Sequence, residues 1–184
     1  MIQSIVALDT RVLEALYAQR DSGTVMTFIG ITELGSTVVV CGLALCIGLV
    51  LALRRRIAMA VGPAISVLGA GATALLLKEL VLRARPDLFY QAYRETGFSF
   101  PSAHATLAAA FYGFLIYLAW RLIPSKLWRA VTTGVLCLLI ALISFSRLYL
   151  GVHYVSDVAG GLILGGLFVW GTIVVVRRLE LRGY

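Results

Sequence analysis

Charge is what this sequence has least of. Only 14% of its 184 residues are Asp, Glu, Lys or Arg, where a soluble domain has about 25%. Hydrophobic residues make up 60%, and long runs poor in charge identify a membrane-embedded chain and exclude an ordinary soluble domain. Histidine occurs twice, at His104 and His153. Cys41, Cys46 and Cys137 lie inside apolar runs, which reads as small core residues and argues against disulfides or a thiolate metal site. The nine acidic residues show no ligand cluster, so neither a metal nor another cofactor is expected. The N-terminus lacks a basic start and is interrupted by Asp9, Arg11 and Glu14, unlike a signal peptide. No internal repeat or flexible linker is visible, so 1–184 reads as one domain.

The net charge is +7. Its basic residues gather at the ends of apolar runs and around one polar group, so nucleic acid is not an expected partner. Residues 2–20 read as an amphipathic interfacial helix, with Ile2, Ile5, Val6, Leu13, Leu16 and Tyr17 on one side and Asp9, Arg11, Glu14 and Arg20 elsewhere. Spans follow at about 25–53, 57–82, 101–122, 129–147 and 153–176, with one long loop at 83–100. Glu33 is the single charge in the first span, and no role is assigned to it. Pro101 suits the first turn of the third span. Trp120 and Trp128 flank a basic turn as interfacial aromatics do. Gly161 and Gly165, four apart, permit close helix packing. The expected fold class is an all-α polytopic membrane helix bundle of about five transmembrane helices plus the N-terminal interfacial helix, or six spans if that helix also crosses.

The charges that interrupt the apolar pattern form three clusters: Lys78 with Arg85-Pro86, Pro101-Ser102-Ala103-His104, and Ser146-Arg147 with His153 and Asp157. A charged side chain at mid-bilayer costs about 2.5–3.5 kcal/mol on insertion scales, so such groups require a purpose. Taken singly, Lys78 and Arg85 read as interfacial anchors. Together, three cations, two imidazoles and a carboxylate form a site for an anion. Arg offers a planar fork to phosphate oxygens and Lys a mobile charge. A helix opening at Pro101-Ser102-Ala103-His104 presents unpaired backbone N–H groups to the same anion, and Ser102 adds a hydroxyl donor. His153 and Asp157 are four apart and would share one helical face. A carboxylate on one ring nitrogen fixes the tautomer and activates the other as a nucleophile.

These clusters resemble the three-part signature of the type 2 phosphatidic acid phosphatase superfamily. Lys78 precedes Arg85-Pro86 by six intervening residues; Pro-Ser-Ala-His follows; Ser146-Arg147 precedes His153 by five intervening residues, and Asp157 follows it after three more. The motif core runs from 78 to 157, and the pattern of spans extends the likeness to about 25–176. One departure is Ala103, where the family usually has Gly.

The resemblance implies a metal-independent membrane phosphatase. His153 would attack phosphorus and form a phosphohistidine, oriented by Asp157, while His104 protonates the leaving oxygen. Lys78, Arg85, Ser102, Ala103 through its N–H, and Arg147 would bind the phosphoryl oxygens. The expected partners are a lipid phosphate substrate and membrane lipids. Undecaprenyl diphosphate is the first expectation for a small chain of bacterial character. Phosphatidylglycerophosphate or phosphatidate hydrolysis and lipid phosphotransfer are alternatives that use the same residues. A transporter is the non-enzyme alternative, and a soluble haloperoxidase fits the composition less well. Oligomeric state is left open. The expected location is the plasma (inner) membrane, with the site on the extracytoplasmic side.

Overall fold

A computed structural model describes residues 2–182. All regular structure among them is helical: α1 Ile2–Ala18, α2 Ser22–Glu33, α3 Thr37–Leu53, α4 Ile57–Ala60, α5 Gly62–Val81, α6 Ala103–Leu122, α7 Lys126–Tyr149 and α8 Val155–Leu181. One 3-10 turn, Leu88–Tyr90, lies in the long loop. Five stretches are long and apolar enough to cross a membrane, beginning with Ser22–Leu53.

The expected continuous first span is corrected. Its helix breaks at residues 34–36 and restarts at Thr37, where the Ser36 hydroxyl accepts from Val39 N–H at 3.4 Å. Tyr112 donates to the freed Leu34 carbonyl at 2.8 Å. Gly35 admits the close approach of α7, since a Cβ there would stand 2.5 Å from Ile143 Cγ2. A straight helix of all 32 residues would be about 48 Å long against an apolar thickness of about 30 Å. Helix α2 packs against the last turns of α7, with the Phe28 ring 4.7 Å from that of Tyr149 and Thr32 bonded to Arg147. Helix α3 continues through the bundle, with Val40 in the first core cluster and Leu51 in the second.

Other boundaries also move. Pro101 precedes the Ser102 N-cap, so Ala103 and not proline takes the first helical position of α6. Helix α7 begins at Lys126 and ends at Tyr149, and α8 runs from Val155 to Leu181. Cys46 and Cys137 are exposed on the outside of the bundle and Cys41 is half-buried, so the expected core positions are corrected. On α1, Asp9 is buried while Ile5, Val6 and Leu8 are exposed, the reverse of the expected sidedness at these positions.

Helix α6 is the central post. Ala105, Ala108 and Ala110 let neighbours approach it on all sides, and its packing against α8 is the most extensive in the bundle. The glycine expectation holds: a Cβ at Gly165 would stand 2.6 Å from the Thr106 carbonyl, and one at Gly161 2.7 Å from that of Ser102. Towards one end Val40, Val67, Leu107, Phe111 and Ile143 pack together. Towards the other Leu51, Met59, Phe114, Leu118 and Val176 do so. Arg121 pairs with Glu180 at 3.1 Å beyond the second cluster. The chemistry-bearing residues gather beyond the first.

Candidate active site

Helix α5 ends at that first end, with Lys78 in its last turn and Leu82 in a left-handed cap (φ 53°). The loop after it folds over the mouth, α6 and α8 start there, and α7 delivers Arg147 in its last turn. All three sequence clusters converge.

His153 is buried at 2% exposure. It does not share a helical face with Asp157 as expected, because it precedes the Tyr154 N-cap of α8. The pair survives by a different route. Asp157 turns back to cap the helix, accepting from Tyr154 N–H at 2.9 Å. Its Oδ2 thereby stands 3.5 Å from His153 Nδ1. Ser99 donates to the same Oδ2 and lies 3.4 Å from Nδ1. On the far side of the ring, Arg85 Nη1 is 3.2 Å from Nε2.

That contact fixes the tautomer. A guanidinium only donates, so Nε2 must be the acceptor and the ring proton sits on Nδ1, facing Asp157. Burial pushes the His153 pKa down to about 4; Asp157 opposes this, and Arg147 and Arg85 reinforce it. The imidazole is therefore neutral at neutral pH, with its Nε2 lone pair accepting from Arg85. Between pH 6.5 and 4 the unfolded chain binds more protons at this residue than the folded one, so stability falls as pH drops through that window. The Tm of the parent should decline more steeply from pH 6.5 to 4 than that of His153→Ala. Equal slopes would contradict the depressed pKa.

Arg147 is fully buried. Its Nη1 donates to Thr32 Oγ1 at 2.9 Å and to the Tyr93 hydroxyl at 2.6 Å. Its Nη2 donates to Glu95 Oε2 at 2.6 Å. The other Glu95 oxygen is 3.8 Å from Arg85 Nη2. Burial would raise the Glu95 pKa, but Arg147 and Arg85, with His104 also near, hold it below its usual range. Two guanidinium groups thus already converge on one anionic group beside His153. Arg85 is otherwise committed, donating to the carbonyls of Thr96, Gly97 and Val152. Lys78 Nζ donates to the Phe98 carbonyl at 2.5 Å, keeping two donors.

Ser102 and Ala103 begin α6, whose start is tied to α8 by Ser102 N–H donating to the Asp157 carbonyl at 3.1 Å. The Ser102 hydroxyl is buried without a partner among the described residues. A buried donor of this kind costs about 1–3 kcal/mol unless something binds it. His104 is half-buried in the first turn. Neutral imidazole, guanidinium, ammonium, hydroxyl and helix-start N–H groups together suit nucleophilic attack on a tetrahedral oxyanion.

Sequence reading did not single out Thr32, Tyr93, Glu95 or Ser99. Arg83 and Asp9 were also passed over. Arg83 donates to Asp157 Oδ1 at 2.6 Å and to Asp9 Oδ2 at 2.7 Å. A charge buried in an otherwise apolar or interfacial segment was the signal available for Asp9; the neutral residues had none.

The PAP2 superfamily model matches residues 59–180. Phosphatidylglycerophosphatase B of Bacillus subtilis (strain 168) is 40% identical over 94 residues, covering 49% of this chain and 44% of that protein. Decaprenylphosphoryl-5-phosphoribose phosphatase of Mycobacterium tuberculosis is 36% identical over 126 residues, covering 67% and 63%. The matches thus span about half the length of such relatives. A crystal structure of a transmembrane PAP2 type phosphatidylglycerolphosphate phosphatase from Bacillus subtilis superposes with TM-score 0.86 at 27% identity, covering 98% of this chain and 88% of that one.

Proposed function

This chain belongs to the PAP2 superfamily, and on that premise we propose that it releases phosphate from a membrane lipid through a phosphohistidine on His153. The observation that supports this most is the pairing of Arg85 with Nε2 and of Asp157 with Nδ1, which leaves a neutral nucleophile aimed beside the arginines. In the first step Arg85 turns from Nε2 to the phosphoryl oxygens, the freed Nε2 lone pair forms a P–N bond as the P–O bond to the lipid breaks, and His104 gives the leaving oxygen its proton. Water then attacks phosphorus, the P–N bond breaks, and the water proton returns to His104. Lys78, Arg85, Arg147, the Ser102 hydroxyl and the N–H of Ala103 hold the phosphoryl oxygens, where charge spreads in the transition state. The entering phosphoryl group competes with Glu95 for the two guanidinium groups.

Phosphatidylglycerophosphate comes first among substrates, ahead of the undecaprenyl diphosphate expected from the sequence. The support is the B. subtilis relative and the nearly full-length structural likeness. Polyprenyl phosphates remain the second reading, supported by the decaprenyl-linked substrate in the name of the mycobacterial relative. Purified protein in detergent should release inorganic phosphate from phosphatidylglycerophosphate faster than from undecaprenyl diphosphate or phosphatidate. EDTA should leave this intact, and vanadate should inhibit by adopting the five-coordinate geometry. Loss on chelation restored by a divalent metal would contradict the mechanism, and no release from any lipid would contradict the enzyme reading.

The site faces away from the cytoplasm of the inner membrane in this reading. Arg54, Arg55, Arg56, Arg121, Lys126, Arg129, Arg177, Arg178 and Arg182, nine cations, lie towards the end opposite the site. Apart from the phosphate-binding cations, the site end has four: Arg11, Arg20, Arg83 and Arg94. Cytoplasmic ends carry the Lys and Arg excess. In a background without the native cysteines, an impermeant thiol reagent on intact cells should label a cysteine at Tyr90 and spare one at Ser125; the reverse pattern would refute the orientation.

A further inference from the structure

Helix α1 lies outside the 59–180 segment that matches the family, yet it reaches the candidate nucleophile. Asp9 is buried at 2% exposure on a helix whose Ile5, Val6 and Leu8 are exposed. Its Oδ1 accepts from Ser156 N–H at 3.0 Å, and its Oδ2 from Ser156 Oγ at 2.5 Å and Arg83 Nη2 at 2.7 Å. Val12, Leu13 and Leu16 line a crevice with His153 and Tyr154. Arg83 also donates from Nη1 to Ser156 Oγ and to Asp157 Oδ1, both at 2.6 Å, and its guanidinium sits 4.5 Å from the centre of the Tyr154 ring. It is a separate residue from Arg85 of the first cluster. Asp157 is therefore gripped on both oxygens: Oδ1 by Arg83, and Oδ2 by Ser99 and Tyr154 N–H beside His153.

From this bridge we propose that Arg83 and Asp9 are positioning residues for the reaction, and that docking of α1 sets the orientation of the His153 ring through Asp157. The inference rests on the phosphatase reading above. Two carboxylates around one guanidinium leave one net negative charge next to Nδ1. When Nε2 bonds to phosphorus, the ring gains one positive charge, which that net charge balances. Without Arg83, Asp157 is free to turn from the Nδ1 side, and the ring loses its fixed tautomer. Without Asp9, Arg83 loses its second anchor and α1 its polar attachment to α8.

The test uses the full-length protein in detergent, with Arg83→Gln, Arg83→Lys and Asp9→Asn compared on the preferred lipid phosphate. Arg83→Gln and Asp9→Asn should lower kcat about tenfold or more, the low end of what losing a partner of a reacting imidazole costs at metal-bound histidines, and leave KM within about twofold of the parent. Arg83→Lys should recover part of the loss, because it keeps a charge against Asp157 but cannot fork to both carboxylates. The ¹⁵N spectrum supplies a readout independent of turnover, since the chain has two histidines and His104→Ala assigns them. The groups around His153 are Asp9 from α1, Arg83, Arg85 and Glu95 from the loop, His104 from α6, Arg147 from α7 and Asp157 from α8. The parent should show His153 as the Nδ1–H tautomer; Arg83→Gln and Asp9→Asn should show a mixture. An unchanged spectrum, or a rise in KM with kcat intact, would overturn the proposal. Should Arg83→Gln fail to fold, Asp9→Asn decides. An inactive parent would defeat the phosphatase reading alone, and the spectrum would still judge the bridge.

Discussion

Replacing His153 with alanine should remove phosphate release, by about 10⁴-fold or more as deletions of catalytic nucleophiles do, while the bundle stays folded. The ring contributes the proposed attacking atom, and no neighbour can substitute. Asp157 and Ser99 face the wrong side of the ring, and Arg85 is permanently protonated. Folding survives because Asp157 keeps Arg83, Ser99 and Tyr154 N–H when the imidazole is gone. The lost contacts should cost about 1–3 kcal/mol, mostly a small buried void and weakened hydrogen bonds. Phosphate release, alkaline quenching to trap an acid-labile phosphoenzyme, and Tm measure the three quantities separately. Activity within about tenfold of the parent at matched folded protein would sink the assignment. Asp157→Asn should be impaired less completely, since it disturbs orientation and leaves the attacking atom in place.

Arg147→Ala should combine a large loss of activity with a large loss of stability. The guanidinium is fully buried and joins Thr32, Tyr93 and Glu95. Removing it leaves the Glu95 carboxylate only the longer 3.8 Å pairing with Arg85, and breaking a buried pair from one side costs about 3–5 kcal/mol. Glu95 is 26% exposed, so the lower end of that range applies. Loss of one phosphoryl-oxygen donor should cost at least about 10²–10³-fold in turnover. The double replacement Arg147→Ala with Glu95→Ala separates the two effects. It should recover part of the stability, because the weakly paired carboxylate is gone, and none of the activity. A double variant as unstable as Arg147→Ala alone would show that the Glu95 pair is not the source of the cost, and one as active as the parent would remove Arg147 from the site.

The candidate site was legible in the sequence for one reason: in lipid, every charge needs a cause. Lys78, Arg85, Ser102, His104, Arg147, His153 and Asp157 stood out because apolar runs surround them, and the structure gathers them at one end. Ser99, Tyr93 and Thr32 carry no charge and sit among residues of similar polarity, so nothing marked them. Glu95 and Arg83 lay in a loop already rich in charge, where their pairing could not be told from solvation.

What the sequence by itself determined was the class and the level of the site. Apolar runs of fixed length must become helices in a bilayer, because backbone groups there find partners only within the segment. The order of the motifs then places them at shared ends. Tertiary structure alone decided the rest. It broke the first span at residues 34–36, where Tyr112 and Ser36 take up the freed backbone groups. It set His153 before α8 and bent Asp157 back to it through the helix cap. It brought Arg83 to Asp157 across 74 residues and Asp9 to Ser156 across 147. Such contacts follow from how the helices pack, and no local period or spacing encodes which loop arginine will meet which helix-start carboxylate.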